Sequence, residues 1–474
     1  MKMKKYGIIA AVSAVIIMGV MAALSFPSVV NQAEYRVRQL AGQVRELLSP
    51  DAANVYFIRQ IVSGDMATTR TLMWETADAR PDSFVDISVD DADESTRIHD
   101  VVHTELTEDG RTRYLHTVYI EDLLPDTAYR FRIGYGNRTE ADSHTFRTGP
   151  VGGRETVFSV LVFPDSQSAD YAGWGLLART AYERHPDAAF AIAMGDLVDN
   201  GESAYQWDRW FAETEAIGHA VPWAPILGNH ETYTLDWNIR QPIAYTTLFA
   251  LPNPYADRSG AKRATGGRGL STPFGRTGTV QVSSAHREKA ERYANRFYSF
   301  DYGDVHFVAL DTQFKEAEGF EPNLADDEIE WLRSDLAANT SKWTVVMMHK
   351  DTFRYANHRR PDIVPGFNEI GERFMPIFDE YGVDVVLSAH YHTYRNRGHV
   401  KYFERNADGP LYVLTGVAGD VRFTGLWIDH PLDEVVAPQP ETSNYLTLSR
   451  TVEGLVIESY LPDGTRIDRI EVRK

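Results

Sequence analysis

Between Thr156 and His390 six apolar runs each end in a polar or ionisable residue: TVFSVLVFPD, DAAFAIAMGD, VPWAPILGN, VHFVALD, WTVVMMH and VDVVLSAH. Runs this continuously apolar are strands buried on both faces, as in sheets covered by helices or by a second sheet. Segments of helical spacing fit between them, residues 172–184 and 325–338 among them. Strand, helix and strand in alternation predict an α/β unit. Such folds carry their chemistry at the carboxyl ends of successive strands.

Those ends hold Asp165, Gly195-Asp196, Gly228-Asn229-His230-Glu231, His349 and His390-Tyr391-His392. Oxygen and imidazole donors of this kind suit divalent ions such as Mn, Fe, Zn, Co or Ni. One aspartate at a strand end means little. Five such ends in order, two of them with a preceding glycine, argue against histidines that merely fill a core. Charge points the same way: 48 basic against 67 acidic side chains leave a net charge of −19. That field repels phosphate backbones, so no nucleic-acid partner is expected, and an anionic substrate must meet a local positive centre. The absence of cysteine excludes disulfides, thiolate zinc sites, cysteine-ligated iron–sulfur clusters and cysteine nucleophiles.

Ahead of the α/β unit the texture differs. Lys2, Lys4 and Lys5 precede Gly7 to Leu24, 18 residues in which only Ser13 is polar. A helix of that length spans about 27 Å, close to the hydrocarbon core of a bilayer. Residues 1–26 therefore read as a signal anchor or a signal peptide, with Ala23-Leu24-Ser25 as a passable cleavage site. Either way the positive flank sets the remainder outside the cytoplasm. Residues 27–50 read as a juxtamembrane helix or linker. From Val55 the runs IRQIVSG, TRTLMWET, FVDISVD, RYLHTVYI and AYRFRIGYG are short, branched and aromatic, separated by turn-like clusters. They predict a small all-β sandwich over 51–149, followed by the α/β domain over 150–474.

The order GDxxD, GNHE, xxxH and xHxH resembles the calcineurin-like metallophosphoesterase superfamily. With the preceding sandwich, the layout resembles its purple acid phosphatase branch. VSGDMATTRTLMWET and LLPDTAYRFRIG are similar to that branch's fibronectin-III-like N-terminal domain. The resemblance covers roughly residues 55–474. It implies an α/β/β/α metallophosphoesterase sandwich behind a fibronectin-III-like sandwich and an N-terminal hydrophobic helix. It also implies two divalent metal ions (Mn, Fe or Zn) and a small phosphate-ester substrate. By position, Asp165 matches a ligand of the first metal, Asp196 the bridging ligand, and Asn229, His349 and His390 ligands of the second; His392 returns to the first. Alternate residues of an extended segment point the same way, which lets His390 and His392 face a metal pair. His230 matches the histidine that assists the leaving group, and Glu231 is expected to orient it.

Three positions depart from the family pattern. Gln167 stands where the first motif usually has His or Gly, and a glutamine carbonyl is a weak, neutral donor. Asp199 stands where purple enzymes have a tyrosine, so an iron-tyrosinate centre is not expected. Ala389 replaces a glycine, a small-for-small change. The implied chemistry is hydrolysis of phosphomonoesters by a hydroxide shared between two metals. The alternatives are a phosphodiesterase on the same site and a non-catalytic extracellular binding module. Residues 255–298 carry nine basic side chains against three acidic ones, read as either a substrate-capturing loop or a surface excursion. His358 is a candidate phosphate contact or a surface histidine, and Tyr394 and Arg395 are expected to support the site from behind.

Overall fold

The computed structural model describes residues 55–140, 142–255 and 284–474, with Val37 alone ahead of them. The expected anchor over 1–26, most of the segment 27–50 and residues 256–283 of the basic insert lie outside the described residues. Among the described residues no helix is long and apolar enough to cross a membrane.

The apolar runs of the second half form two sheets. In the first, Phe158–Phe163, Ala191–Ala193 and Trp223–Pro225 lie parallel side by side. The closing hairpins Tyr445–Arg450, Leu455–Tyr460 and Arg466–Val472 extend it on one side. In the second, Val305–Leu310, Trp343–Met348, Val385–Ser388 and Leu411–Thr415 run parallel. Alternation sorts the second sheet's side chains by face. Phe307, Ala309, Val345, Met347, Val385 and Leu387 join the core that also holds Val160, Val162, Ile192 and Ala224 of the first sheet. Val308, Val346, Met348 and Val386 join a separate core with Leu332 and Leu336 of helix Leu324–Ala338 and Phe374 and Phe378 of helix Glu369–Tyr381. Helices Ala172–Arg184 and Ala204–Ala220 bring Trp174, Leu177, Trp207 and Trp210 to the first core. The result is helix, sheet, sheet, helix, a mixed α/β fold.

The N-terminal β-rich part has its own core of Leu72, Trp74, Val85, Val118, Phe131 and Ile133. One of its sheets holds Ser83–Val89 and Ala128–Tyr135. The other does not stand apart as a separate sandwich would suggest. Its strand Val55–Ile61 pairs in parallel with Trp223–Pro225, Ile61 opposite Trp223, and the Val62 N–H donates to Trp223 O at 3.0 Å. Ten strands therefore form one continuous sheet through both parts. Ile61 and Trp223 are both buried at that seam, so pairing hides an edge that would otherwise expose unpaired backbone.

Candidate metal centre

The carboxyl ends of the parallel strands from the two facing sheets converge. Asp165 follows Phe158–Phe163, Asp196 follows Ala191–Ala193, and Asn229 follows Trp223–Pro225. His349 follows Trp343–Met348, and His390 and His392 follow Val385–Ser388. Asp165, Asp196, Asn229, His349 and His392 are all buried. Two groups of donors result: Asp196, His349 and His390, and Asp165, Asp196 and His392. Within each group one ligand atom per residue lies within 4.8 Å of the others. Asp196 belongs to both.

Ring orientation is set from outside the cluster. His349 Nδ1 lies 2.9 Å from Met194 O; a carbonyl only accepts, so Nδ1 carries the proton and Nε2 turns inward. There Nε2 sits 3.1 Å from Asp196 Oδ2 and 3.2 Å from Asn229 Oδ1. His392 repeats the device, with Nδ1 at 2.6 Å from Val421 O and Nε2 at 3.3 Å from Asp165 Oδ1. Histidine ligands of metals are held in this way. His390 Nδ1 and Gln167 Oε1 are buried with no hydrogen-bond partner. Buried polar atoms left unpaired are costly, and a cation would satisfy both kinds. The donor set thus fits a pair of divalent ions.

The backbone is bent to hold these groups. Asp196, His390 and His392 have φ of 47°, 77° and 53°, left-handed values that non-glycine residues adopt at a cost, so the segment carrying the two histidines is bent and not extended as expected. Gly195 and Gly228 are required by close approach. A Cβ on Gly195 would lie 2.6 Å from His349 Nδ1, and one on Gly228 would lie 2.2 Å from the Asp196 N and Oδ1.

Without ions the cluster is electrostatically divided. Burial opposes ionisation of Asp196, but His349 and His230 overcome it and hold the carboxyl well below its usual range. Burial likewise disfavours the His349 cation, yet Asp196 and Asp165 raise it to about 9. Burial and the neighbouring His349 push His390 well below its usual value.

His230 lies beside the cluster, its Nε2 3.9 Å from Asp196 Oδ2. Its expected partner is not the one the structure provides. Glu231 does not orient the ring. The Glu231 carboxylate instead accepts N–H bonds from Asp196 at 3.0 Å, Leu197 at 2.8 Å, Val198 at 3.3 Å and Gly228 at 2.8 Å. The short 3-10 turn of His230–Thr232 carries adjacent side chains apart, sending Glu231 inward under the loops and His230 outward. His230 Nδ1 is held by Asp199, 2.8 Å from its carbonyl and 3.4 Å from Oδ1. Burial opposes the imidazolium, and the carboxylates of Asp196 and Asp199 raise it to about 10. Asp199, which the family pattern marks only by the tyrosine it replaces, stands three residues after Asp196, and that spacing is the signal for it in the sequence.

Other expectations part from the cluster. Arg395 is buried in ion pairs with Asp429 and Asp433, both at 2.7 Å, and the Tyr394 hydroxyl donates to Asp468 at 2.9 Å. His358 is exposed. Of the insert's basic residues, Arg296 pairs with Asp311 at 2.7 Å and Lys289 with Asp327 at 2.8 Å.

The calcineurin-like phosphoesterase profile matches residues 158–394, half of the 474-residue chain, and that span encloses every residue of the cluster. The chain belongs to the calcineurin-like phosphoesterase family. A second profile, that of the purple acid phosphatase N-terminal domain, matches residues 57–148. Among curated relatives of this chain, purple acid phosphatase 15 of Arabidopsis thaliana is 24% identical over 379 residues, covering 73% of this chain and 62% of its own. Purple acid phosphatase 1 of Ipomoea batatas is 24% identical over 352 residues, covering 70% and 63%. A probable inactive purple acid phosphatase 1 of Arabidopsis thaliana is also 24% identical, over 304 residues, 59% of this chain and 43% of its own. The chain thus spans less than two thirds of the length of these relatives. Among solved structures, a purple acid phosphatase from yellow lupin (Lupinus luteus) seeds superposes with a TM-score of 0.63 at 18% identity, over 88% of this chain and 74% of that one. PhoD superposes with a TM-score of 0.56 at 11% identity, over 90% and 94%. At such identities the likeness is one of fold. The family uses a dinuclear metal centre.

Proposed function

We propose that the protein is a metal-dependent phosphoesterase that hydrolyses phosphomonoesters. The observation that carries this reading is the pair of donor groups sharing Asp196, with the Nε2 of His230 beside them. We assign Asp165, Asp196 and His392 to one ion and Asp196, Asn229, His349 and His390 to the other, with Gln167 as a weak extra donor to the first. When bound, two divalent ions supply an attacking hydroxide by lowering the pKa of water, and they neutralise charge on the phosphate oxygens. The chain's own residues do the rest. His349 and His392 present Nε2 because backbone carbonyls hold Nδ1. Asp199 keeps His230 Nδ1 occupied, so its Nε2 is the nitrogen free to pass a proton to the departing oxygen, a general-acid role. Gln167 favours an oxygen-tolerant ion such as Mn or Fe(II) over Zn at the first site.

The domain limits 51–149 and 150–474 are part of this reading, supported by the separate core of the β-rich part and by the two profile matches. Action outside the cytoplasm is supported by the basic and apolar start of the chain, read as a signal anchor or signal peptide. The test is hydrolysis of 4-nitrophenyl phosphate and bis(4-nitrophenyl) phosphate by protein loaded with Mn, Zn, Fe, Co or Ni. Metal content is measured alongside. Monoester turnover that is lost in Asp196→Asn together with bound metal is the expected result. Turnover of the diester alone would favour a phosphodiesterase, and tight metal binding with neither activity a binding module.

A further inference from the structure

We infer that Trp237 and Tyr233 form an aromatic shelf for the organic part of the substrate, so that preferred esters carry a flat aromatic group on the leaving oxygen. This rests on the phosphoesterase reading above. Directly after GNHE the chain folds a tight loop: Tyr233 bridges to Ile239, the Thr234 N–H donates to Asn238 O at 2.8 Å, and the Trp237 N–H donates to Thr234 O at 2.9 Å. The loop sets Trp237 at its tip with φ 62°, a conformation that a bulky residue adopts rarely and only where the surroundings enforce it. Trp237 is 45% exposed, between Leu235 and Ile239, which are 45% and 51% exposed. Its ring nonetheless faces the site. It stands edge-on to the His230 ring with centroids 5.7 Å apart, and Tyr233 stands edge-on to the same ring at 5.2 Å. The Tyr233 hydroxyl also lies 3.4 Å from Asn229 Nδ2.

The geometry follows from the role of His230. Nδ1 is taken by Asp199, so the leaving oxygen must lie about 3 Å from Nε2 to receive its proton. The next atoms of the alcohol then fall beside the rings that flank the imidazole. A second aromatic ring gains favourable edge or offset contacts at centroid distances of about 4.5–7 Å, which a short aliphatic alcohol cannot make.

Benzyl phosphate and ethyl phosphate release alkoxides of similar basicity, so their comparison isolates the ring. In Trp237→Ala the benzyl-to-ethyl ratio of kcat/KM should fall about five- to tenfold, mostly through KM, and Trp237→Phe should restore most of it. Damage to the acid function of His230 would instead lower both esters together. An unchanged ratio, or a Phe variant no better than Ala, overturns the shelf. So does loss of lipid-vesicle binding in Trp237→Ala with the ratio intact, which would give the loop to a membrane surface. Calorimetry with benzylphosphonate and ethylphosphonate on metal-loaded protein separates this inference from the hydrolytic reading. Tighter benzylphosphonate binding that depends on Trp237 supports the shelf even where neither ester is turned over. Equal binding of the two phosphonates to the unaltered protein refutes it.

Discussion

At His349 a proton and a metal ion compete for one nitrogen. Nδ1 is committed to the Met194 carbonyl, so the second proton of the imidazolium sits on Nε2, the atom that faces Asp196 and Asn229. Asp196 raises His349 to about 9 against the effect of burial, so near neutral pH the metal-free site holds that proton and an ion must displace it. His390 is already neutral, because burial and His349 hold it low, and it yields none. The apparent metal affinity should therefore rise about tenfold per pH unit below about pH 9 and level off above it. Calorimetry in buffers of different ionisation enthalpy measures the proton release directly. Heats independent of the buffer near pH 7 would remove His349 from the ligand set. The donor residues that the structure gathers were legible in the sequence because each stands at a strand end. The partner of His230 was not. The nearest atom to its Nδ1 is the backbone carbonyl of Asp199, from a loop distant in sequence, and that contact depends on how two loops pack and not on the letter at either position.

Between elements, Glu231 acts as a staple. Both of its oxygens are used, Oε1 by the N–H groups of Leu197 and Val198 and Oε2 by those of Asp196 and Gly228. It thereby ties the loop after Ala191–Ala193 to the loop after Trp223–Pro225. Gly201 lets the same segments touch, since a Cβ there would lie 2.0 Å from Glu231 O. Glu231→Gln keeps the shape but turns an amide donor toward N–H groups that can only donate. Leaving such groups unpaired costs about 1–3 kcal/mol. Chemical denaturation should show that loss, and metal analysis should show weaker retention because Asp196 is no longer held. Full stability with reduced metal would mean that Glu231 acts on the cluster alone and not as a staple. The alternating cores on either face of Trp343–Met348 and Val385–Ser388 needed no tertiary information to foresee, since a strand's period of two is a local property.

Across the whole molecule the β-rich and α/β parts are joined at several places. One join is the ten-stranded sheet. Another is a buried cluster: Arg113 lies 3.0 Å from Glu75 and 2.6 Å from Asp208 of helix Ala204–Ala220, and Arg59 lies 3.4 Å from Glu75. Arg59 also donates to Leu248 O at 3.1 and 3.0 Å, and Arg113 to Ala204 O at 2.7 Å. Removing one member of a buried charge cluster costs about 3–5 kcal/mol, because the partners stay buried without compensation. Arg113→Ala should therefore lower the calorimetric transition of the whole protein, which we expect to unfold as one unit. Two separate transitions, with only the β-rich part shifted in the variant, would show that the seam does not couple the parts.

From the sequence alone came the apolar runs, their strand and helix character, the donors at their ends, and the β-rich segment ahead of them. Each depends on side-chain periodicity over fewer than about ten residues, which the chain carries locally. Only the tertiary structure decided that Ile61 meets Trp223 and so merges two sheets, that Asp199 rather than Glu231 holds His230, and that Trp237 turns toward that ring. The first two join segments distant in sequence, and the turn at Trp237 takes a φ of 62° that a bulky residue rarely adopts, so no local signal announces these contacts and packing imposes them.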